Sequence, residues 1–211
     1  MDFYHGLLLL LCYKQNNLAY NCFVGTTSTP GPQEKRLAAY LDGLAKAAGH
    51  ADRATPLKNY CAGLLLPGER KSVEPMAARL APGSVQRTRQ SLHHLVADAP
   101  WSDAHVLRQV RAQVVPAMQA QGPVAAWIVD DTGFPKKGTH SVGVARQYCG
   151  QLGKQENCRA AVSLSLATET SSLPMAYRLY LPKDWAGDDK RREEAGVPES
   201  IRFQTKPEIA L

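Results

Sequence analysis

Two adjacent carboxylates, Asp130 and Asp131, close an apolar run, Val-Ala-Ala-Trp-Ile-Val at 124–129, and are followed by Thr132, Gly133 and the lysines Lys136 and Lys137. Carboxylates held rigidly at the exposed end of a buried strand suit a hard divalent cation such as magnesium, which takes oxygen ligands. Two such ions bridged by carboxylates activate a water or hydroxyl and stabilise the leaving oxygen of a phosphodiester. The chemistry within reach is phosphoryl transfer. The same residues also suit a turn, because Asp and Gly are favoured there for backbone reasons alone, and Thr132-Gly133 favours a turn over continuation of the strand. If 124–131 stays extended, Asp131 shares a side with Val129 and Trp127 and Asp130 shares the side of Ile128, and a turn beginning at Asp130 would undo either assignment.

The elements that must hold these carboxylates read as follows. After 124–131 come a β-branched stretch at 141–148, a polar link at 150–156 and an apolar run at 160–167. Three strands in close succession predict an antiparallel meander. A fourth strand carries Tyr177, Arg178 and Tyr180, which pack its edge, and Trp127 and Trp185 are expected in the core. Upstream the pattern is helical. Leu37, Tyr40, Leu41, Leu44 and Ala48 form an apolar stripe that Gly49 stops. Ser72 caps a second helix with Met76, Ala77 and Leu80. Ser84 opens a third with Leu92, Leu95 and Val96, and Ser102 a fourth with Val106, Val110 and Met118. His93 and His94 are neighbours on a helix, about 100° apart, so they cannot grip one metal together, and one is expected near the core and the other in solvent. Gln121-Gly122-Pro123 is the expected boundary, giving a leader at 1–31, a helical domain at 32–122 and a sheet domain at 123–211.

Composition adds bounds. A chain of 211 residues, 44% hydrophobic, can bury a substantial core. Its net charge of +6 tilts towards a polyanionic partner. The five cysteines are odd in number and contain no Cys-x-x-Cys pair, which favours thiols in a reducing cytoplasm over a disulfide framework or a zinc knuckle. The apolar run at 7–12 is far shorter than the ~20 residues of a membrane-spanning helix, and the start lacks the charge pattern of a signal peptide.

The segments DDTGFPKKGTHSVGVARQYCGQLGKQENCRAAVSLSLA and YRLYLPKDWAGDDKRREEAGVPESIRFQTKPEIAL resemble the catalytic region of bacterial insertion-sequence transposases of the DDE superfamily, in the IS-seven-oh-one branch near the Tn-five and IS-four elements. GERKSVEPMAARL and QSLHHLVADAPWS resemble that family's helical amino-terminal region. The resemblance implies an α/β chain: a helical, DNA-binding domain followed by an incomplete ribonuclease-H-like mixed sheet, with three acids around Mg2+ or Mn2+. It implies cleavage of double-stranded DNA at the element's own ends and joining of the 3′ hydroxyl to a target, in the cytoplasm at the nucleoid, with a homodimer a possibility for the full-length protein. The family's Asp-Thr step falls on Asp131-Thr132, which makes Asp131 the metal ligand, with Asp130 second. Lys136, Lys137 and Arg146 could neutralise phosphates, with solvent-exposed hairpin charge an equal reading for the two lysines; Arg70 and Lys71 in the helical half could contact phosphates too, though charge at such positions is usually a solvated helix face. The second and third acids are expected on a later strand and helix, whereas this chain stops as a helix opens at Pro207-Glu208; Asp188-Asp189 and Glu193-Glu194 lie in an exposed charged stretch and are not promoted. The chain is therefore read as a truncated transposase, inactive alone. The alternative is a non-catalytic DNA-binding or partner-binding module, with no membrane association in either case.

Overall fold

The computed structural model describes residues 31–211, so the leader and its apolar run at 7–12 lie outside the described residues. The described chain divides into two compact units, the second running from Ala117 to Leu211.

The first unit is helical. Helix α1 spans Pro32–Ala47, α2 Ala54–Leu65, α3 Val73–Leu80, α4 Val85–Ala97 and α5 Asp103–Gln119. The stripe of α1 buries Leu41, Leu44 and Ala45, and the chain turns away at Gly49, whose φ of 83° only glycine adopts without cost. Ser72 and Ser84 stand at the N-caps of α3 and α4. The amide of His105 reaches the Ser102 hydroxyl at 3.4 Å at the start of α5.

Helix α2 carries no pattern that announces it. Leu57, Tyr60, Cys61, Ala62, Gly63 and Leu64 are all buried, and the polar residues Thr55, Lys58 and Asn59 stand only in its first half, so no polar face runs its length to set a period. It is the centre of the bundle. Gly63 lets α3 come close: a Cβ there would lie 2.9 Å from Sδ of Met76. The division between units falls within α5 at Pro116, ahead of the break expected at Gly122-Pro123. His93 and His94 are both exposed, and each places Nδ1 within 4 Å of the Asp98 carboxylate, at 3.8 and 3.5 Å. The expectation of one histidine near the core is corrected: both sit on the exposed side of α4 towards its end, beside the Asp98 carboxylate.

The second unit is one four-stranded sheet with short helices. Its strands are β1 (Ala126–Pro135), β2 (Ala145–Cys149), β3 (Lys154–Ala167) and β4 (Ser172–Leu179), followed by α6 (Lys183–Ala186), α7 (Asp189–Glu194) and α8 (Lys206–Ala210). Helices first and sheet second is the α/β order expected, and every strand pairing is antiparallel. It is not a simple meander. The long strand β3 is the hub: β1 pairs along it from Ala126 opposite Ala167 to Pro135 opposite Cys158, β2 pairs with its first part, and β4 with its last. The second part of the link read at 150–156 is strand, because Lys154 to Glu156 pair with β2 and the turn needs only Gly150–Leu152 and Gly153 in the left-handed region.

The ribbon of β2 and β3 curls over the end of β1. Gly133, opposite Ala160, lies so near Cys149, opposite Lys154, that an added Cβ would stand 3.1 Å from the Cα and Sγ of Cys149. Trp185 of α6 is buried, at 1% exposure, and its indole N–H donates to the carbonyl of Val144 at 2.8 Å, as expected of a core residue. Trp127 is instead 57% exposed.

Candidate active site

Strand β1 places the acids. Bulky and β-branched residues, Trp127, Ile128 and Val129, favour extended backbone, and the ladder with β3 carries it without a break through Asp130, Asp131, Thr132 and Gly133 to Pro135. The expected turn at Thr132-Gly133 is absent: ten consecutive rungs outweigh the turn preference of Asp and Gly. A second expectation is corrected as well. β1 is not a buried strand, since Trp127, Ile128 and Val129 are 57%, 45% and 51% exposed. Among the described residues it pairs with β3 alone and forms an edge of the sheet, so no strand covers its other side.

Continuous strand geometry fixes the alternation. Asp131 stands on the side of Val129 and Asp130 on the opposite side, so the two carboxylates cannot close on one ion. Asp130 is opposite Ser163, whose hydroxyl reaches the Asp130 carbonyl at 3.4 Å, and its carboxylate is exposed. Asp131 is opposite Val162, which on its other edge faces Arg178 of β4. Asp131 and Arg178 thus share one rung and one face, roughly 10 Å apart across the intervening strand.

On that face the Asp131 carboxylate forms an ion pair with the Lys206 ammonium, 75 residues later in sequence. Lys206 is the first residue of α8, positioned by the capping box of Thr205 and Glu208: the Thr205 amide donates to Glu208 Oε2 at 2.7 Å, the Thr205 hydroxyl to the same oxygen at 2.8 Å, and the Glu208 amide to the Thr205 hydroxyl at 3.4 Å. These bonds, the backbone amide of Thr205 foremost, hold the Glu208 carboxyl below its usual range. The Lys206 ammonium also lies 5.6 Å from the ring centroid of Tyr180, which meets Phe203 edge-on at 6.4 Å, and Arg178 donates to Oε1 of Gln204 at 2.9 Å. Arg178 and Tyr180 therefore do more than pack the strand edge: they anchor the segment that delivers Lys206.

The lysines after β1 sit on a braced loop. Asn157 donates from Nδ2 to the carbonyls of Lys136 and Gly138 at 2.9 and 2.8 Å, and the Lys136 amide donates to the Asn157 carbonyl at 2.9 Å. Arg191 donates to the Thr139 carbonyl at 2.7 Å while its guanidinium stacks 3.7 Å from the Trp185 ring. Lys137 is exposed on this loop, as is Arg146 on β2. In the helical unit, Lys71 donates to the Leu66 carbonyl at the end of α2, and the carbonyl of exposed Arg70 accepts from Arg79 at 2.9 Å. Lys71 is thus engaged in closing a helix. The pairs Asp188-Asp189 and Glu193-Glu194 belong to α7 and its N-cap, where the Asp188 carboxylate accepts from the Arg191 amide.

Among the described residues, no group of three His, Cys, Asp or Glu side chains could hold a metal ion. One carboxylate already paired with an ammonium does not fit a magnesium ion, which needs near-octahedral oxygen ligands. Sequence reasoning did not find Lys206, Asn157 or Arg191. For Lys206 the available signal was the Thr-Lys-Pro-Glu string, a capping box that marks a helix start; no local signal placed it beside Asp131.

A strand bearing exposed acids, paired in an antiparallel sheet that follows a helical unit in sequence, is accompanied by a family match over most of the chain. Residues 40–211 match the DDE superfamily endonuclease model, and the chain belongs to that family. It is 34% identical over 121 residues to the probable transposase for insertion sequence element IS701 of Microchaete diplosiphon, an alignment covering 57% of this chain and 28% of that protein. The chain thus spans well under half the length of this curated relative. No solved structure matches it.

Proposed function

We propose that this chain carries the first acidic residue, Asp131, of the nuclease centre of an insertion-sequence transposase. In that reading a divalent ion, Mg2+ or Mn2+, is held when further acids join Asp131, and DNA strands are cut at the element's ends and transferred to a target. The observation that carries it is the unbroken β1–β3 ladder through Asp131, within the segment shared with the endonuclease family. A ladder fixes a carboxylate in position where a turn would leave it free to swing, and fixed charge is what phosphoryl transfer requires. Asp130, on the other face, is the second candidate.

Lys137 and Arg146, exposed near β1, and the loop carrying Lys136 are suited to phosphate contacts that add affinity and salt dependence without sequence readout. Duplex DNA is the partner, the nucleoid the place of action, and a homodimer the form of the full-length protein. The family generally uses a divalent metal, and no helix among the described residues is long and apolar enough to cross a membrane.

The test is nicking, by the full-length transposase that carries this segment, of a supercoiled plasmid bearing the element's ends. Metal-dependent nicking that disappears in Asp131→Asn supports the assignment; equal nicking by the variant refutes it. A second reading, a DNA-binding module without cleavage, draws on the exposed cations and on the Asp131–Lys206 pairing. It requires duplex binding that falls steeply with salt and no cleavage in Mg2+ or Mn2+.

A further inference from the structure

Helices α3 and α4 pack together and are joined only by Ala81, Pro82, Gly83 and Ser84, the last three a single 3-10 turn. Met76 and Ala77 of α3 and Leu92, Leu95 and Val96 of α4 are buried. Two short helices closed by a tight glycine-containing turn are the parts of a helix-turn-helix, in which the second helix lies in the major groove. The side of α4 left exposed carries Gln86, Arg87, Gln90, His93 and His94. Arg89, partly exposed, donates from Nε to Oε1 of Gln86 at 3.2 Å, which braces both side chains on the first turns. No carboxylate occurs in the sequence from Pro75 to Ala97, and the next one, Asp98, stands at the far end of α4 beside the two histidines. The exposed side of α1, by contrast, sets Asp42 among Lys35, Arg36 and Lys46. A face stripped of acid suits a polyanion.

We propose that α4 is the sequence-reading helix of this chain, laid in the major groove of duplex DNA with Arg87 and Gln90 on base edges. The proposal rests on the reading of duplex DNA as the partner. Contacts from Lys136, Lys137 and Arg146 to phosphates carry no sequence information, so recognition of particular ends needs a reader elsewhere. A helix is about 10–12 Å across and the major groove about 12 Å wide. Arg87 and Gln90 are three residues apart and share one face of α4. Their side chains are the two whose forks match purine edges: arginine meets O6 and N7 of guanine, and glutamine meets N6 and N7 of adenine. The Asp98 carboxylate repels phosphate at the other end, which leaves the first turns of α4 as the part that enters the groove.

The experiment is selection by the whole chain, at near-physiological salt, from a library of duplexes whose randomised core is about two helical turns long. Wild type is expected to enrich one sequence pattern. Arg87→Lys keeps the charge and loses the fork, and Gln90→Ala loses the amide; each is expected to lower discrimination at one or two positions of that pattern by about five- to a hundredfold. Lys137→Ala is expected to weaken binding to all sequences alike and to leave the pattern intact. Both α4 replacements favour helix and Gln90 and Arg87 are exposed, so retained far-ultraviolet circular dichroism separates lost reading from lost folding. Duplex binding by wild type with no enriched pattern would overturn the proposal, as would the same pattern at the same discrimination in both variants. A uniform loss of affinity in both, with the pattern intact, would make α4 a phosphate-contacting face and overturn it as the reader. Failure of the underlying reading looks different: the chain then retains no duplex from the library even at low salt, and α4 falls with it.

Discussion

Gly133→Ala tests the geometry that holds Asp131 in place. Gly133 lies two residues beyond Asp131 on β1, and its φ is not in the left-handed region, so alanine meets no backbone strain. What it meets is the β2–β3 ribbon: the new methyl would stand 3.1 Å from both Cα and Sγ of Cys149 and 3.5 Å from its Cβ. One of those atoms is main chain and cannot rotate away, so either the ribbon lifts or β1 shifts by a few tenths of an ångström. Overpacking of this kind costs about 1–3 kcal/mol, offset by the ~0.4–1 kcal/mol that alanine gains by restricting the unfolded chain. The net expectation is a loss of about 1–2 kcal/mol, which lowers the urea midpoint by about 0.5–1 M at the slopes usual for small domains. Trp185, buried with its indole N–H on the Val144 carbonyl just ahead of β2, supplies the fluorescence signal. A second substitution locates the cause: Cys149→Ala takes away the sulfur but leaves the main chain of residue 149 where it was, so the double variant should recover part of the loss rather than add to it. A Gly133→Ala chain as stable as wild type, or strictly additive effects in the double variant, would refute the close approach.

Two further outcomes follow from the titrating groups. Burial, with Cys149 beside it, pushes the Cys158 thiol up from 9.0 to about 11; only the unfolded chain releases its proton between those values, so the fold is unaffected by this group below pH 9 and loses stability as pH rises from 9 towards 11, and alkylation of Cys158 at pH 8 should be slow until urea unfolds the sheet. Thr205→Ala removes the cap of α8 and should speed amide exchange at residues 208–210 by about fivefold, the equivalent of ~1 kcal/mol, leaving β3 amides unchanged. The depressed Glu208 carboxyl makes the same end of the helix acid-sensitive: its contribution is present above the ordinary value of 4.5 and lost as pH falls below it, read as fraying of α8 by NMR.

The helices with a polar face were legible because an amphipathic stripe repeats in sequence: α1, α3, α4 and α5 all follow from their apolar spacing and from Gly49, Ser72, Ser84 and Ser102. Helix α2 was not, because its second half, Tyr60 to Leu64, is buried all round and has no period to show. In the sheet, the apolar part of β3 was readable and its polar first part was not, since the pairing of Lys154 to Asn157 with β2 depends on a partner strand rather than on its own composition. Asp-Asp-Thr-Gly marked a special position but its conformation was misread, because turn preference is local and the ladder that overrules it is not. The apolar residues of β1 were read as buried from hydrophobicity alone, which cannot tell a central strand from an edge. Lys206 reaches Asp131 across 75 residues, and nothing in either neighbourhood records that meeting.

Because every other strand leans on β3, the acid-bearing strand is made early and seated late. β1 emerges first during synthesis, yet Ala126 has no partner until Ala167 has followed, and Asp131 does not meet its cation until Lys206 is out. A ladder with such distant rungs closes slowly, and until then Trp127, Ile128 and Val129 belong to an unpaired strand of the kind that sticks to other chains. The acid is thus aimed only once its partner strand has followed it, and a nascent chain halted before Val162 would carry Asp131 with no rung opposite to hold it.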